Sequence, residues 1–372
     1  MEFEPLLAAL RGLLPAIAAR ATMLDHDGAF PAEDVASLGG IGLLAAPLPR
    51  ELGGLGLGTA QDGAAPLCLA LRLIGRTSLP LGRLYEGHVN ALRLVLRCGS
   101  PAQAHAAALD AREGRLFGVW NTDPAGEPPL RLTRGGSVIE GRKVLCSGAG
   151  WVERALVTAR DALTPEAPPS MVLVALARGQ RADFSSWTAQ GMRASATGTV
   201  DLTGFEPGPA SLIGVPGDYG REPDFSAGAW RFAAVQCGGI EALIGETREH
   251  LRRTERGGDP HQAARLGQSA ISAEAARLWV ESAAARAEAP TADATTVAYV
   301  NLCRLAVERA ALDALELAQR SVGLAAFIRP SPLERIARDL ATYLRQPAPD
   351  RALTEAAAHV LAAEPAPGDL WA

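Results

Sequence analysis

Hydrophobic positions along the chain change period twice, and each change marks a different kind of structure. Over residues 1–113 Ala and Leu recur at helical spacing, broken at Gly28, at Gly39 and Gly40, and between Gly53 and Gly58, so a set of helices is expected at the front. Residues 101–112 read as one more helix, with Pro101 in its first turn and Gly114 closing it. Beyond residue 116 the pattern shortens. Runs of β-forming residues at 116–120, 137–140, 155–159, 171–175 and 199–202 alternate with Gly and Pro, and Arg134-Gly135-Gly136-Ser137 carries a hairpin signal. A small β-barrel or sandwich is expected there. The helical period returns near Asp224 and lasts to the end. Ala264, Gly267, Ile271, Ala275, Leu278, Ser282 and Ala285 share one face of a long helix stopped by Pro290, and their small side chains let another helix approach closely. A second long helix is expected over 295–319, with Tyr299, Cys303, Ala306 and Ala310 on one side, and the pair suggests a four-helix bundle.

The expected fold class is therefore α+β in three parts: an N-terminal helical domain over 1–113, a central β domain over 114–223 and a C-terminal helical bundle over 224–372. At roughly 150 residues per domain, a chain of 372 residues fits two or three domains. No internal repeat or low-complexity linker interrupts them.

Composition narrows the partners. With 36 Lys and Arg against 41 Asp and Glu, the net charge is −5 and no long run of either sign occurs. Neither a nucleic-acid footprint nor a polybasic membrane patch is present. The uncharged stretch 35–49 is broken by Gly39, Gly40, Gly42 and Pro47 and is too short to span a bilayer, so no membrane span is expected. Glu2 and Glu4 stand where a leader needs positive charge, and a cytoplasmic protein is expected. Cys68, Cys98, Cys146, Cys237 and Cys303 are far apart and odd in number, which argues for reduced, mostly buried thiols and against a disulfide framework or a metal site.

The candidate chemistry lies in an ordered series. Pro49-Arg50-Glu51-Leu52-Gly53-Gly54-Leu55-Gly56 is followed by Trp120-Asn121-Thr122-Asp123-Pro124 and by Gly141-Arg142-Lys143-Val144-Leu145-Cys146-Ser147-Gly148-Ala149. Gln319 with Gly323, Pro332-Leu333-Glu334-Arg335 and Arg338-Asp339 complete it. In order and spacing, over essentially the whole chain, this series resembles the acyl-CoA dehydrogenase superfamily, whose helical, β and bundle parts follow in the same order.

The resemblance implies a flavin cofactor, FAD or, in a monooxygenase-like member, FMN. It assigns Trp120 and Thr122 to the pyrimidine side of the flavin ring, Ser147 to its N5 side, and Leu145 to a place where the family often has an aromatic residue. It assigns Gln319 and Gly323 to a turn that reaches the adenine end of a neighbouring subunit's FAD, and Arg253 or Arg256 to its diphosphate. Each has a structural alternative, a turn hydroxyl for Thr122 and Ser147, a helix cap for Gly323 and surface charge for Arg253. Glu127, in Ala125-Gly126-Glu127-Pro128-Pro129, would be unfavourable beside phosphates unless it turns outward. His88 falls where the family lines its substrate cavity and His261 follows Pro260 at a helix start; both are read as ordinary side chains.

One member of the series is missing. The family's catalytic Glu falls eight residues after the Asp of the Arg-Asp pair, and here that place is Pro347. The alternative place in an earlier helix holds Trp230. Asp350 is the nearest carboxylate and the candidate substitute base, with a helix-capping role as its alternative. Three activities fit. The first is hydride transfer from an acyl thioester such as acyl-CoA, or a related acyl compound, to flavin N5, with an electron-transfer partner. The second is a flavin monooxygenase served by a flavin reductase. The third is a non-catalytic subunit paired with an active homologue. A homodimer, homotetramer or hetero-oligomer built through the C-terminal helices is expected.

Overall fold

The computed structural model describes residues 2–366 and 368–371. Five helices open the chain: α1 (Phe3–Met23), α2 (Ala32–Gly40), α3 (Ala64–Thr77), α4 (Leu79–Cys98) and α5 (Pro101–Arg112). Their limits follow from capping. Ser100 Oγ accepts from Gln103 N at 3.3 Å while Gln103 Oε1 accepts from Ser100 N at 2.8 Å, a reciprocal box that starts α5. Helix α1 is long and apolar enough, by length and composition, to cross a membrane, a property the segment 35–49 does not share. Its Leu6, Leu7, Leu10 and Ile17 are buried in the core.

Nine strands follow in two sheets. In the larger, β5 (Arg154–Asp161) pairs antiparallel with β6 (Ser170–Ala175) and parallel with β1 (Phe117–Trp120) and β2 (Arg131–Thr133). Strands β2 and β3 (Val138–Glu140) form the expected hairpin through residues 134–136, and β9 (Leu212–Ile213) borders β6. The smaller sheet is antiparallel, β4 (Arg142–Cys146), β8 (Gly198–Asp201) and β7 (Ala182–Asp183) in that order. The middle region is thus two sheets rather than a closed barrel.

The short α6 (Asp224–Ala227) leads into α7 (Trp230–Arg253), α8 (Pro260–Ala287) and α9 (Ala294–Val322), followed by α10 (Pro332–Tyr343) and α11 (Pro349–Ala362). Asp259 caps α8 through the N–H groups of His261 and Gln262, at 2.8 and 3.1 Å, with Pro260 in the first turn. The small-residue stripe of α8 faces outward. Ile271 is 71% and Leu278 54% exposed, and the buried side carries Ser269, Ala276, Val280, Ala283, Ala284 and Ala287. Both faces are Ala-rich, so spacing alone does not say which one meets the core.

Helices α3 and α7 touch backbone to backbone. A Cβ at Gly75 would lie 2.3 Å from the Val235 carbonyl oxygen, and one at Gly238 would lie 2.3 Å from that of Arg72. Gly238→Ala is therefore expected to destabilise the protein by about 2–3 kcal/mol, although Ala is the better helix former by about 1 kcal/mol. Urea unfolding of the variant measures this.

Helix α10 is tied to the β region by Asp339, whose Oδ1 accepts from Met192 N at 2.6 Å. Burial raises this carboxyl from its ordinary 3.8 to about 6, against the opposing pull of Arg335. The folded state then binds the proton more tightly than the unfolded chain, so this group's contribution to stability falls as pH rises from about 4 to about 6 and is level above. Asp339→Asn, whose amide oxygen can still accept from Met192, is expected to remove that slope from unfolding midpoints measured across the window.

Candidate functional site

Beyond the end of β1 the chain runs through Asn121, Thr122 and Asp123 without regular secondary structure, and the Thr122 carbonyl accepts from Val144 N at 3.0 Å. This links β1 to β4, where the register slips. Lys143 pairs with Val200 and Cys146 with Gly198, so β4 holds one extra residue. Leu145 sits in that bulge at φ 55°, a left-handed conformation costly for a branched side chain, and stands 56% exposed.

Immediately after the bulge comes Ser147. Trp120 Nε1 donates to its carbonyl at 3.0 Å. Ser195 Oγ donates to the Met192 carbonyl and lies 2.7 Å from Thr197 Oγ1, which in turn lies 3.4 Å from Ser147 Oγ. Thr197 Oγ1 donates to Ser147 Oγ, so the Ser147 oxygen accepts and its own proton is left to point elsewhere.

Trp120, Thr122, Leu145, Ser147 and Pro347 line one cleft of about 560 Å³. Pro347 is held there by Arg304, which donates to its carbonyl at 2.7 Å and lies over the Phe232 ring. The facing wall is a stripe of α4 that sequence reading passed over: Arg83, Glu86, Asn90, Arg93 and Arg97, spaced 3-4-3-4 on an otherwise apolar helix. That spacing was the available signal.

The stripe is the start of a longer chain of contacts. Glu86, 3% exposed, accepts from Arg83 and Asn90. Arg231 donates to Asn90 Oδ1 at 3.1 Å and to Glu288, which also accepts from Trp230 Nε1 at 3.2 Å. Arg93 lies 3.0 Å from Glu288, and Asp224 pairs with Arg97 at 2.5 Å. Burial and the neighbouring Arg231 lower the Arg93 pKa to about 10.

In total the cleft is lined by Arg83, Arg93, Arg97, Arg231, Arg304, Arg345 and Arg351 against Glu86, Asp224 and Glu355, and all three carboxylates stand beside an arginine. Two buried donors on cleft residues have no partner among the described residues, Trp187 Nε1 and the Tyr343 hydroxyl. The surroundings favour anions.

Other candidate residues lie elsewhere. Asp350, the candidate substitute base, is exposed in the first turn of α11, where an acidic charge suits a helix N-terminus, and is not among the described residues that line the cleft. Gly323, at φ 75°, closes α9 with its N–H on the Gln319 carbonyl, and neither residue reaches the cleft of its own chain. Arg253 is exposed in the last turn of α7. Glu127 does turn outward, pairing with Arg142 at the surface.

His88 is fully buried and links α4 to its neighbours. Its Nε2 donates to the Leu44 carbonyl at 2.7 Å, and Phe117 N donates to its Nδ1 at 3.1 Å. Burial lowers its pKa to about 4, so it stays neutral. His261 is at the start of α8, as expected. Burial pushes up all five thiols, and Cys68, Cys146, Cys237 and Cys303 are buried.

Comparison with known proteins agrees with this architecture. Residues 9–108 match the family described as acyl-CoA dehydrogenase, N-terminal domain, and residues 222–344 match acyl-CoA dehydrogenase, C-terminal domain. Amino sugar nitrososynthase RubN8 of Streptomyces rubradiris is 29% identical over 259 residues, which is 67% of this chain and 60% of that protein. Two solved structures share the fold. FMN-bound TdsC from Paenibacillus sp. A11-2 superposes with a TM-score of 0.84 at 20% identity, covering 99% of this chain and 100% of that one. KijD3 in complex with dTDP gives 0.81 at 23% identity, covering 97% of each. With its two helical parts matched and its two-sheet middle held between them, the chain belongs to the acyl-CoA dehydrogenase superfamily.

Proposed function

We propose that the chain is a flavin-dependent monooxygenase acting on an amine carried by a phosphate-bearing molecule, a nucleotide-linked amino sugar being the first candidate. One observation carries the reading: the place of the family's base is Pro347, and the cleft around it offers no carboxylate without an arginine beside it. Dehydrogenation of an acyl thioester needs an unencumbered carboxylate over the substrate. An oxygenation does not. The names of RubN8 as an amino sugar nitrososynthase and of KijD3 as a dTDP complex support the amine and the nucleotide, and the arginine excess supports an anionic substrate.

A flavin fits the cleft. Leu145 offers an apolar surface, Thr122 and Ser147 offer hydroxyls, and Trp187 offers an orphaned N–H, the donor types that suit the polar edges of a flavin ring. When bound and reduced, the flavin supplies activated oxygen. The chain's own part is to hold the substrate amine beside it, to counter phosphate charge with Arg93, Arg97, Arg304, Arg345 and Arg351, and to donate from Ser147 and Trp187. Electrons come from a separate flavin reductase, and the exposed α8 stripe is the surface through which copies assemble.

Ser147→Ala is expected to weaken flavin binding about tenfold, the loss of one hydrogen bond to a polar edge, as read by fluorescence titration. The reading itself is tested by supplying dTDP-linked amino sugars, FMN, NADH and a flavin reductase, and weighing the products. A gain of one or more oxygen atoms supports it. Flavin binding with no oxygenated product from any amine overturns it, and failure to bind flavin points to a non-catalytic subunit.

A further inference from the structure

A second cavity, of about 410 Å³, opens beside the cleft, and Asn121, Tyr219 and Phe225 line both. Thr122 belongs to the cleft alone, while its neighbours Asn121 and Asp123 both line the second cavity. We infer that this cavity is a subsite for a nucleobase presenting adjacent N–H and C=O groups, through which the substrate's nucleotide is recognised. The inference rests on the oxygenase reading above for what happens in the cleft, and on the second cavity's own residues for recognition.

Lys143 organises the subsite from behind. Its side chain is fully buried, and its ammonium donates to Asp123 Oδ1 at 2.6 Å, to the Asn121 carbonyl at 3.2 Å and to Thr158 Oγ1 at 3.2 Å. All three of its donors are used. Because Thr158 accepts from Lys143, its own proton goes to Asn121 Oδ1, and this fixes the amide. Asp123 Oδ1 also accepts from Leu130 N at 3.0 Å. Asn121 Nδ2 and Asp123 Oδ2 have no partner among the described residues, which leaves one donor and one acceptor two residues apart on a rigid strand end.

That pair is the complement of a lactam or imide edge, in which a ring C=O accepts and the adjacent ring N–H donates. Uracil, thymine and guanine carry such an edge. Cytosine meets the same pair with its N4–H and N3, and it alone also meets two donors, with N3 and O2. Tyr219 and Phe225, with ring centroids 5.5 Å apart and planes at 62°, give the cavity an aromatic wall for a flat ring. Arg160 gives Nη1 to the carbonyls of Pro165 and Ala167 at 3.0 and 2.9 Å, which steadies the loop on the far side. The edge-reading pair and the aromatic wall together are what a base requires; a phosphate or an aliphatic chain would use neither.

The test is calorimetric titration of the full chain, saturated with FMN, with dTDP, GDP, CDP and inorganic pyrophosphate, for the natural protein and for Asp123→Asn. That substitution keeps the oxygen that faces Lys143 and turns the outer acceptor into a donor. The natural protein is expected to bind dTDP or GDP at least about tenfold more tightly than pyrophosphate. Preference between dTDP and GDP identifies the base. In Asp123→Asn that preference is expected to fall by about tenfold with pyrophosphate and CDP binding unchanged. Phe225→Ala is expected to weaken both nucleotides without affecting pyrophosphate. Pyrophosphate binding as tightly as the nucleotides, or nucleotide preference unaltered in a folded Asp123→Asn protein, overturns the inference. Selective nucleotide binding in a protein that oxygenates no amine leaves the subsite standing and removes the oxygenase reading alone.

Discussion

Titrated with acyl-CoAs under anaerobic conditions, the flavin-loaded protein is expected to keep its oxidised-flavin absorbance, with any bleaching at least about a hundredfold slower than a base-assisted reaction. The expectation follows from Pro347. Its ring has no proton acceptor, and its carbonyl is taken by Arg304 at 2.7 Å. Glu86 is locked by Arg83 and Asn90, and Asp224 is shared by Arg97 and, at 3.7 Å, Arg93. Glu355 is exposed and lies 3.6 Å from Arg351. A carboxylate whose oxygens are engaged by guanidinium groups has fewer lone pairs left to face a substrate. Rapid bleaching by any acyl-CoA would return the protein to the dehydrogenases.

Glu288→Ala is expected to cost about 3–5 kcal/mol of stability, the cost of leaving buried charge without its partner. Glu288 and Arg231 are each 3% exposed, and Glu288 is the common acceptor for Arg231, Arg93 and Trp230 Nε1. Without it, two guanidinium groups already at odds with each other face across a dry gap. The damage would pass to the cleft wall, since Arg231 also positions Asn90 and Asn90 holds Glu86. Urea unfolding measures the loss. Replacing Arg231 and Glu288 together by Met and Leu is expected to recover part of it, because the Arg231 charge then leaves with its partner while Arg93 keeps Asp224 at 3.7 Å.

Much of this architecture is legible in the sequence because it rests on local rules. Period changes near residues 116 and 224 come from side-chain direction in helix and strand, and Ser100, Asp259 and Asp293 mark helix starts by capping. The family resemblance points to Thr122, Leu145 and Ser147, and the fold brings them to one cleft. What escaped depends on distant partners. The α4 stripe reads locally as a few charges on an apolar helix, and its meaning comes from Arg231 and Glu288, far along the chain. The α8 stripe was legible as a face but not as an outward one, since an Ala-rich helix suits either the core or a neighbouring copy. Asp123 and Lys143 sat within quoted motifs, yet the buried ammonium that unites them with Asn121 and Thr158 exists only once β1, β4 and β5 are side by side.

The central claim is that molecular oxygen is the oxidant and that a substrate amine, not an acyl α,β-bond, is what is oxidised. Its most direct measurement is a turnover of a dTDP-linked amino sugar with reduced FMN under ¹⁸O₂ in unlabelled water, followed by mass spectrometry. The account predicts ¹⁸O bonded to the product nitrogen. Product that carries only oxygen from water, or an unsaturated product formed equally well without oxygen, would contradict it.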